Sequence, residues 1–360
     1  MRTFFVVGVL AACGGGSSKP GPIPPGTGTM LAGCPVLPAD HIFNTPIDTL
    51  PVDPSSDAYI ATIGGSVKVH LDLGTDTDQT ADDFYGIPYN VVNGSSLSWT
   101  QVAYKSTDPS LDWDPTSESD CADASKQLTS PCTIAAPYLP VPTDPIVEGG
   151  IDMAADEQPY GDHHLLVLDS DACRLWEAFH VYEPATGTWN IFGSASWDLR
   201  SDDLRPADWT SADAAGFPIL PLLLKADEAS SGTITHALRF TIESSSIRDT
   251  YIWPARHEAG SSSSTSLPEM GQAFRLKASY QIPAGANVQA TAILTAMKTY
   301  GIYIADGGSS MYVTGEPSAS WEDDTFTVVQ AVHASDFEAV DMSAITGLAG
   351  FDPDSGAVPQ

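Results

Sequence analysis

His164 and Glu177 are residue types suited to proton transfer, and the pattern around them places both on one face of a β-hairpin. Residues 163–168 form a short apolar run, Asp169-Ser170-Asp171-Ala172 has the composition of a turn, and residues 173–182 are rich in aromatic and β-branched side chains. If Asp169 faces Ala172, then Leu168 faces Cys173, Leu166 faces Leu175 and His164 faces Glu177, with all six side chains on one face. A glutamate set among Leu175, Phe179 and Val181 is costly to bury unless it is hydrogen-bonded or protonated, and burial raises its pKa toward that of a general acid. The pair therefore reads in two ways, as a mutually satisfied ion pair that fixes the sheet or as catalytic machinery. For catalysis Asp162 is the second carboxylate, because it sits at the start of a strand, where reactive groups often project.

Other charged residues carry weaker signals. Asp198 pairs most simply with Arg200, and Asp306, just before Gly307-Gly308, reads as a turn residue or a site residue. The chain holds 15 Lys and Arg against 46 Asp and Glu, a net charge of −31. Such a balance repels nucleic acid. Most of the cations fall between Arg174 and Lys298. Arg239, Arg275 and Lys277 lie on polar faces of predicted strands, and Arg256 and His257 follow a strand ending at Trp253. Either internal carboxylates neutralise them, or a carboxylate or sulfate on a polysaccharide does. Arg239, Arg256, His257 and Lys277 are thus the candidate substrate-binding cations. Trp176 is the candidate stacking surface for a sugar ring, with the core as its alternative place. No GxSxG, HExxH, Walker or Rossmann pattern occurs. Asp76-Thr77-Asp78 with Asp82-Asp83 lacks the Gly and Glu of a calcium loop. The expectation is no metal and no cofactor.

The N-terminus has Arg2, an apolar run from Phe4 to Leu10, and Leu10-Ala11-Ala12-Cys13. A positive start, a short apolar core and small residues before a Cys predict a signal peptide over residues 1–12 and lipidation at Cys13. Residues 13–33, rich in Gly, Ser and Pro, predict a tether. The implied location is the cell envelope, with the chain held at the outer membrane or cell surface by its lipid alone. Four further cysteines, Cys34, Cys121, Cys132 and Cys173, suit disulfides in an exported chain. The simplest pairing is Cys121 with Cys132 and Cys34 with Cys173, and two other pairings remain open.

The elements that must position these groups are mostly strands. Residues 67–71, 89–92, 233–243, 250–253, 273–282 and 302–305 read as strands, alternating or apolar in pattern. Residues 287–300 read as a helix capped by Asn287 and ended by Gly301. The sum is a mainly β fold, a β-sandwich or jelly-roll core with long loops and two or three short helices. It forms a single domain over residues 34–348, followed by a frayed tail over 349–360.

Four segments carry a resemblance. Residues 209–216 (WTSADAAG), 236–240 (HALRF), 253–257 (WPARH) and 270–278 (MGQAFRLKA) resemble a family of secreted microbial proteins to which no activity is attached. Lys277-Ala278-Ser279-Tyr280-Gln281 resembles the late strand of jelly-roll alginate lyases, one residue short in spacing. Together the residues lead to a carbohydrate-active surface protein. The leading expectation is a glycoside hydrolase with paired carboxylates acting on a polysaccharide. The alternatives are a lyase that abstracts a proton beside a uronate, and a non-catalytic protein that binds a glycan or a partner.

Overall fold

The computed structural model describes residues 26, 28–81, 84–105, 114, 116–150 and 162–360. The predicted signal peptide, Cys13 and most of the predicted tether lie outside them, as do Asp82 and Asp83. The fold is mainly β, arranged as a sandwich, with five short α-helices among the described residues.

A four-stranded sheet is the central layer. Its strands run in the order Gly193–Asp198, Arg174–Phe179, Leu165–Asp169, Tyr89–Val92. Leu166, Leu168, Leu175, Ala195 and Trp197 point into one core, shared with the six-stranded sheet that contains Leu238–Ile242, Ala273–Leu276 and Ile302–Gly307. Leu165, Val167, Trp176 and Ala178 point into a second core with Val102, Leu139, Trp189 and Ile191. Both faces of the layer are therefore covered, which explains why these strands read as apolar runs. Parallel pairs occur in all three large sheets. Jelly rolls are antiparallel, so of the two expected architectures the sandwich describes the chain.

The hairpin register differs from expectation by two residues. Asp169 pairs with Arg174, Leu168 with Leu175, and Leu166 with Glu177. The turn holds four residues, with Cys173 at φ 47°, and Asp169 Oδ1 accepts from the N–H groups of Asp171 and Ala172. A two-residue shift preserves the faces, so Glu177 keeps its place on the core side. His164 now lies opposite Phe179, ring centroids 5.5 Å apart.

Two predicted strands are shorter than expected. Of residues 233–243 only Leu238–Ile242 pairs, and of 273–282 only Ala273–Leu276. Lys277 to Tyr280 form a turn instead, closed by the Tyr280 N–H on the Lys277 carbonyl. That removes the strand on which the lyase resemblance rested. Residues Val288–Thr299 form the predicted helix, with Asn287 accepting from the Ala290 N–H. Gly301 at φ 77° ends it, where a Cβ would meet the Phe274 carbonyl oxygen at 2.5 Å.

Both ends of the domain extend further than expected. Thr29–Leu31, expected in the tether, pairs with Cys34–Val36. The predicted frayed tail is held: the N–H groups of Ile42 and Leu204 donate to Gly356 and Asp354, and the Val358 N–H donates to Asp40. Val358 is buried, so backbone pairing and one apolar anchor offset the polar composition. Two disulfides join Cys34 to Cys173 and Cys121 to Cys132.

Candidate active site

Three strand ends and the loop segments around Glu118, Asp162 and residues 210–214 line a cavity of about 220 Å³. Phe179 ends one strand, Gly193 and Ser194 begin its neighbour, and Asp306 and Gly307 end a strand of the adjoining sheet. That last strand carries a bulge: Ile304 faces Phe240 but Asp306 faces Thr241, so Ala305 is the extra residue. A bulge breaks the side-chain alternation and re-aims the next side chain, here that of Asp306.

The loop of residues 209–216 forms one wall, held partly by its own hydrogen bonds and partly from outside. The Thr210 N–H donates to Glu118 Oε2 at 2.9 Å, and the Arg205 Nε–H donates to the Thr210 carbonyl. His164 Nε2 meets the Ala212 carbonyl at 2.9 Å. The Ala214 N–H donates to Asp306 Oδ2 at 3.2 Å, and His257 Nδ1 meets the Ala214 carbonyl at 3.0 Å. Beneath the loop the carboxylate of Asp213 receives Arg239. Gly216 at φ 74° closes it, a position where a Cβ would lie 2.7 Å from the Trp209 carbonyl oxygen. Three of the four resembling segments thus meet here: residues 209–216 form the loop, and Arg239 and His257 brace it.

Acidic side chains dominate the charge of the cavity. Glu118, Asp162 and Asp306 line it, beside the rings of Phe179 and Phe192 and the hydroxyl-bearing Ser194, Thr210 and Ser211. Asp162 is exposed and Asp306 half-buried. Burial pushes the Asp306 carboxyl up to about 7, reinforced by the charge of Asp213 and opposed by Arg239. The site therefore presents one carboxyl that retains its proton near neutrality and another open to water.

Glu177 is elsewhere. It is 1 % exposed, and its two oxygens accept from the N–H groups of Ile219 and Leu220, both at 2.9 Å. Burial pushes its carboxyl up to about 7, as the neighbouring apolar residues led one to expect, but it faces the core and not the cavity. His164 is buried behind the loop, its Nδ1 2.6 Å from Glu148 Oε2. Burial disfavours its charge, but Glu148 outweighs that effect and lifts the imidazole to about 9. The expected His164–Glu177 pair is replaced by two separate arrangements. One ligand atom from each of Glu148, Asp162 and His164 lies within 4.8 Å of the others.

The predicted substrate-binding residues serve internally. Arg239 is buried against Asp213 and Thr314. Arg256 binds the tail through the Pro353 carbonyl and Asp354. Lys277 donates to the Ser335 carbonyl, away from the cavity. Trp176 is 3 % exposed and packs edge-on to Trp99 in the second core. The buried side chain of His236 belongs to another cluster, with Glu228 and Lys225. Glu118 and Glu148 carry no periodic or motif signal; Asp306 had one, the strand end before two glycines.

Searches of protein-family models, curated proteins and solved structures find no match to the chain.

Proposed function

We propose that the chain is a glycoside hydrolase that cleaves polysaccharide at this cavity, exported and anchored by a lipid on Cys13. The observation that carries the reading is the pair Asp306 and Asp162, two carboxyls in contrasting surroundings lining one pocket. Glycoside hydrolysis needs that division: one carboxyl gives a proton to the leaving oxygen, and the other activates water or attacks the sugar. Asp306 is the donor and Asp162 its partner. Phe179 and Phe192 offer apolar ring surfaces, and the serine and threonine hydroxyls offer partners for sugar hydroxyls. No Lys or Arg lines the cavity among the described residues, which favours a neutral sugar over a uronate and hydrolysis over elimination. The disulfides suit an oxidising compartment, and Leu10-Ala11-Ala12-Cys13 supports lipidation there.

The test is a polysaccharide panel assayed for new reducing ends and for unsaturated products. Hydrolysis should release reducing ends without unsaturation, and Asp306→Asn should lower kcat by roughly 100-fold or more, the scale of a lost general acid. Unsaturated products would replace this reading with a lyase. Binding without cleavage would replace it with a glycan-binding protein.

A further inference from the structure

We propose that Glu148, Asp162 and His164 bind one divalent transition-metal ion of the zinc class at the edge of the cavity. An imidazole nitrogen and two carboxylate oxygens, mutually within 4.8 Å, form a compact set of three donors. Three protein ligands with a fourth position left for water is the arrangement of catalytic zinc, and an imidazole beside carboxylates is a donor set that first-row divalent metals accept.

The imidazole supplies a second line of argument. The Ala212 carbonyl can only accept, so the Nε2 that meets it at 2.9 Å carries hydrogen. Nδ1 is left to face Glu148 Oε2 at 2.6 Å. Without metal the Nδ1 proton bridges that gap, and an incoming metal ion would take its place. A carbonyl that fixes the far nitrogen is also how metal-binding histidines are oriented. Glu148 is secured by reciprocal bonds: its N–H donates to the His164 carbonyl at 3.1 Å, and the His164 N–H donates to its Oε2 at 3.2 Å. Tetrahedral bonds of about 2.0–2.1 Å set donors about 3.3 Å apart. Metal entry therefore requires the His164–Glu148 contact to open by about 0.7 Å from its 2.6 Å. Asp162 is exposed and lines the cavity, so the fourth position opens toward it.

The binding site stands on these donors alone; its part in cleavage rests on the hydrolase reading. There, a water in the fourth position is made more acidic. Its proton passes to the free oxygen of Asp162, its oxygen bonds to the sugar carbon, and the glycosidic oxygen leaves with the Asp306 proton.

The experiment uses the full chain, stripped with a chelator and titrated calorimetrically with Zn²⁺, then with Co²⁺ for its visible absorption. Expected is one saturable site per chain, a Co²⁺ spectrum of low coordination number, and a loss of affinity of at least tenfold in both Asp162→Asn and His164→Gln. Asp162 is exposed, so its variant keeps the metal-free unfolding temperature and reports on binding even if His164→Gln misfolds. Absence of a saturable site, or unchanged affinity in Asp162→Asn, overturns the proposal. Uptake is read without substrate, so its failure leaves the hydrolase reading standing, and inactivity of a metal-loaded protein counts against that reading alone.

Discussion

Asp213 grips Arg239 through both carboxylate oxygens, Oδ2 to Nε at 3.0 Å and Oδ1 to Nη2 at 2.8 Å, with both side chains buried. This ion pair joins the floor of the cavity loop to the strand Leu238–Ile242. A cation that looked free to meet a substrate anion is spent on an internal one. Removing one member of a buried pair leaves the other charged and unpaired. Arg239→Met should accordingly lower the unfolding free energy by about 3–5 kcal/mol. Urea denaturation measures this, and a loss below about 1 kcal/mol would mean that water screens the pair as it does at a surface.

Glu177→Gln separates a structural carboxyl from a catalytic one. Both oxygens of Glu177 accept backbone N–H groups, and a carboxyl can do so whether or not it is protonated. The amide of Gln turns an NH₂ toward one of those donors and leaves it unsatisfied. The variant should lose roughly 1–3 kcal/mol of stability and keep its kcat on an identified substrate. A fall in kcat without a fall in stability would contradict the sealed position.

Stability should peak in mild acid. The carboxyls of Glu177, raised from 4.5 to about 7, and Asp306, raised from 3.8 to about 7, bind protons more tightly when folded. Their contributions are complete below the unfolded values and are lost as pH rises through 7. For Glu177 alone the difference is about 3 kcal/mol. In the metal-free chain His164, raised from 6.5 to about 9, adds stability that is complete below 6.5 and lost through 9. Glu228 works in the opposite sense: despite burial, Lys225 and His236 hold it at about 2, so its contribution is present above 4.5 and lost as pH falls through 2. Denaturation midpoints across pH 3–9 should therefore be highest near 4.5–5, about the unfolded carboxylate range. A curve that climbs from pH 5 to 8 would show that these groups do not govern it.

The parts of the fold that could be read in advance are those where one residue's surroundings repeat along the chain. The central strands announced themselves because both faces are buried, and the helix of Val288–Thr299 because an apolar stripe lies between Asn287 and Gly301. Turn length is not encoded in composition. The turn after Asp169 has the polar residues expected and two more positions than expected, which separates His164 from Glu177. The cavity was least visible because its members come from loops and a bulge. Glu148 meets His164 through tertiary packing alone, and Asp306 reaches the cavity where Ala305 interrupts its strand. Arg239 lies on the strand face that alternation marks as polar, but nothing in its sequence neighbours reveals that Asp213 covers that face.

The bond between Cys34 and Cys173 spans 139 positions and ends at the turn between the two middle strands of the central layer. Tension applied to the chain ahead of Cys34 consequently peels only the short pairing of Thr29–Leu31 with Cys34–Val36 before the disulfide takes it up. It enters the layer at the turn and runs lengthwise along Leu165–Asp169 and Arg174–Phe179. A pull along strands loads their hydrogen bonds in shear, all together, where a pull on a terminal strand would unzip them one by one. A pull from the N-terminal side is thus delivered to the central layer at a turn that is not part of the loop of residues 209–216.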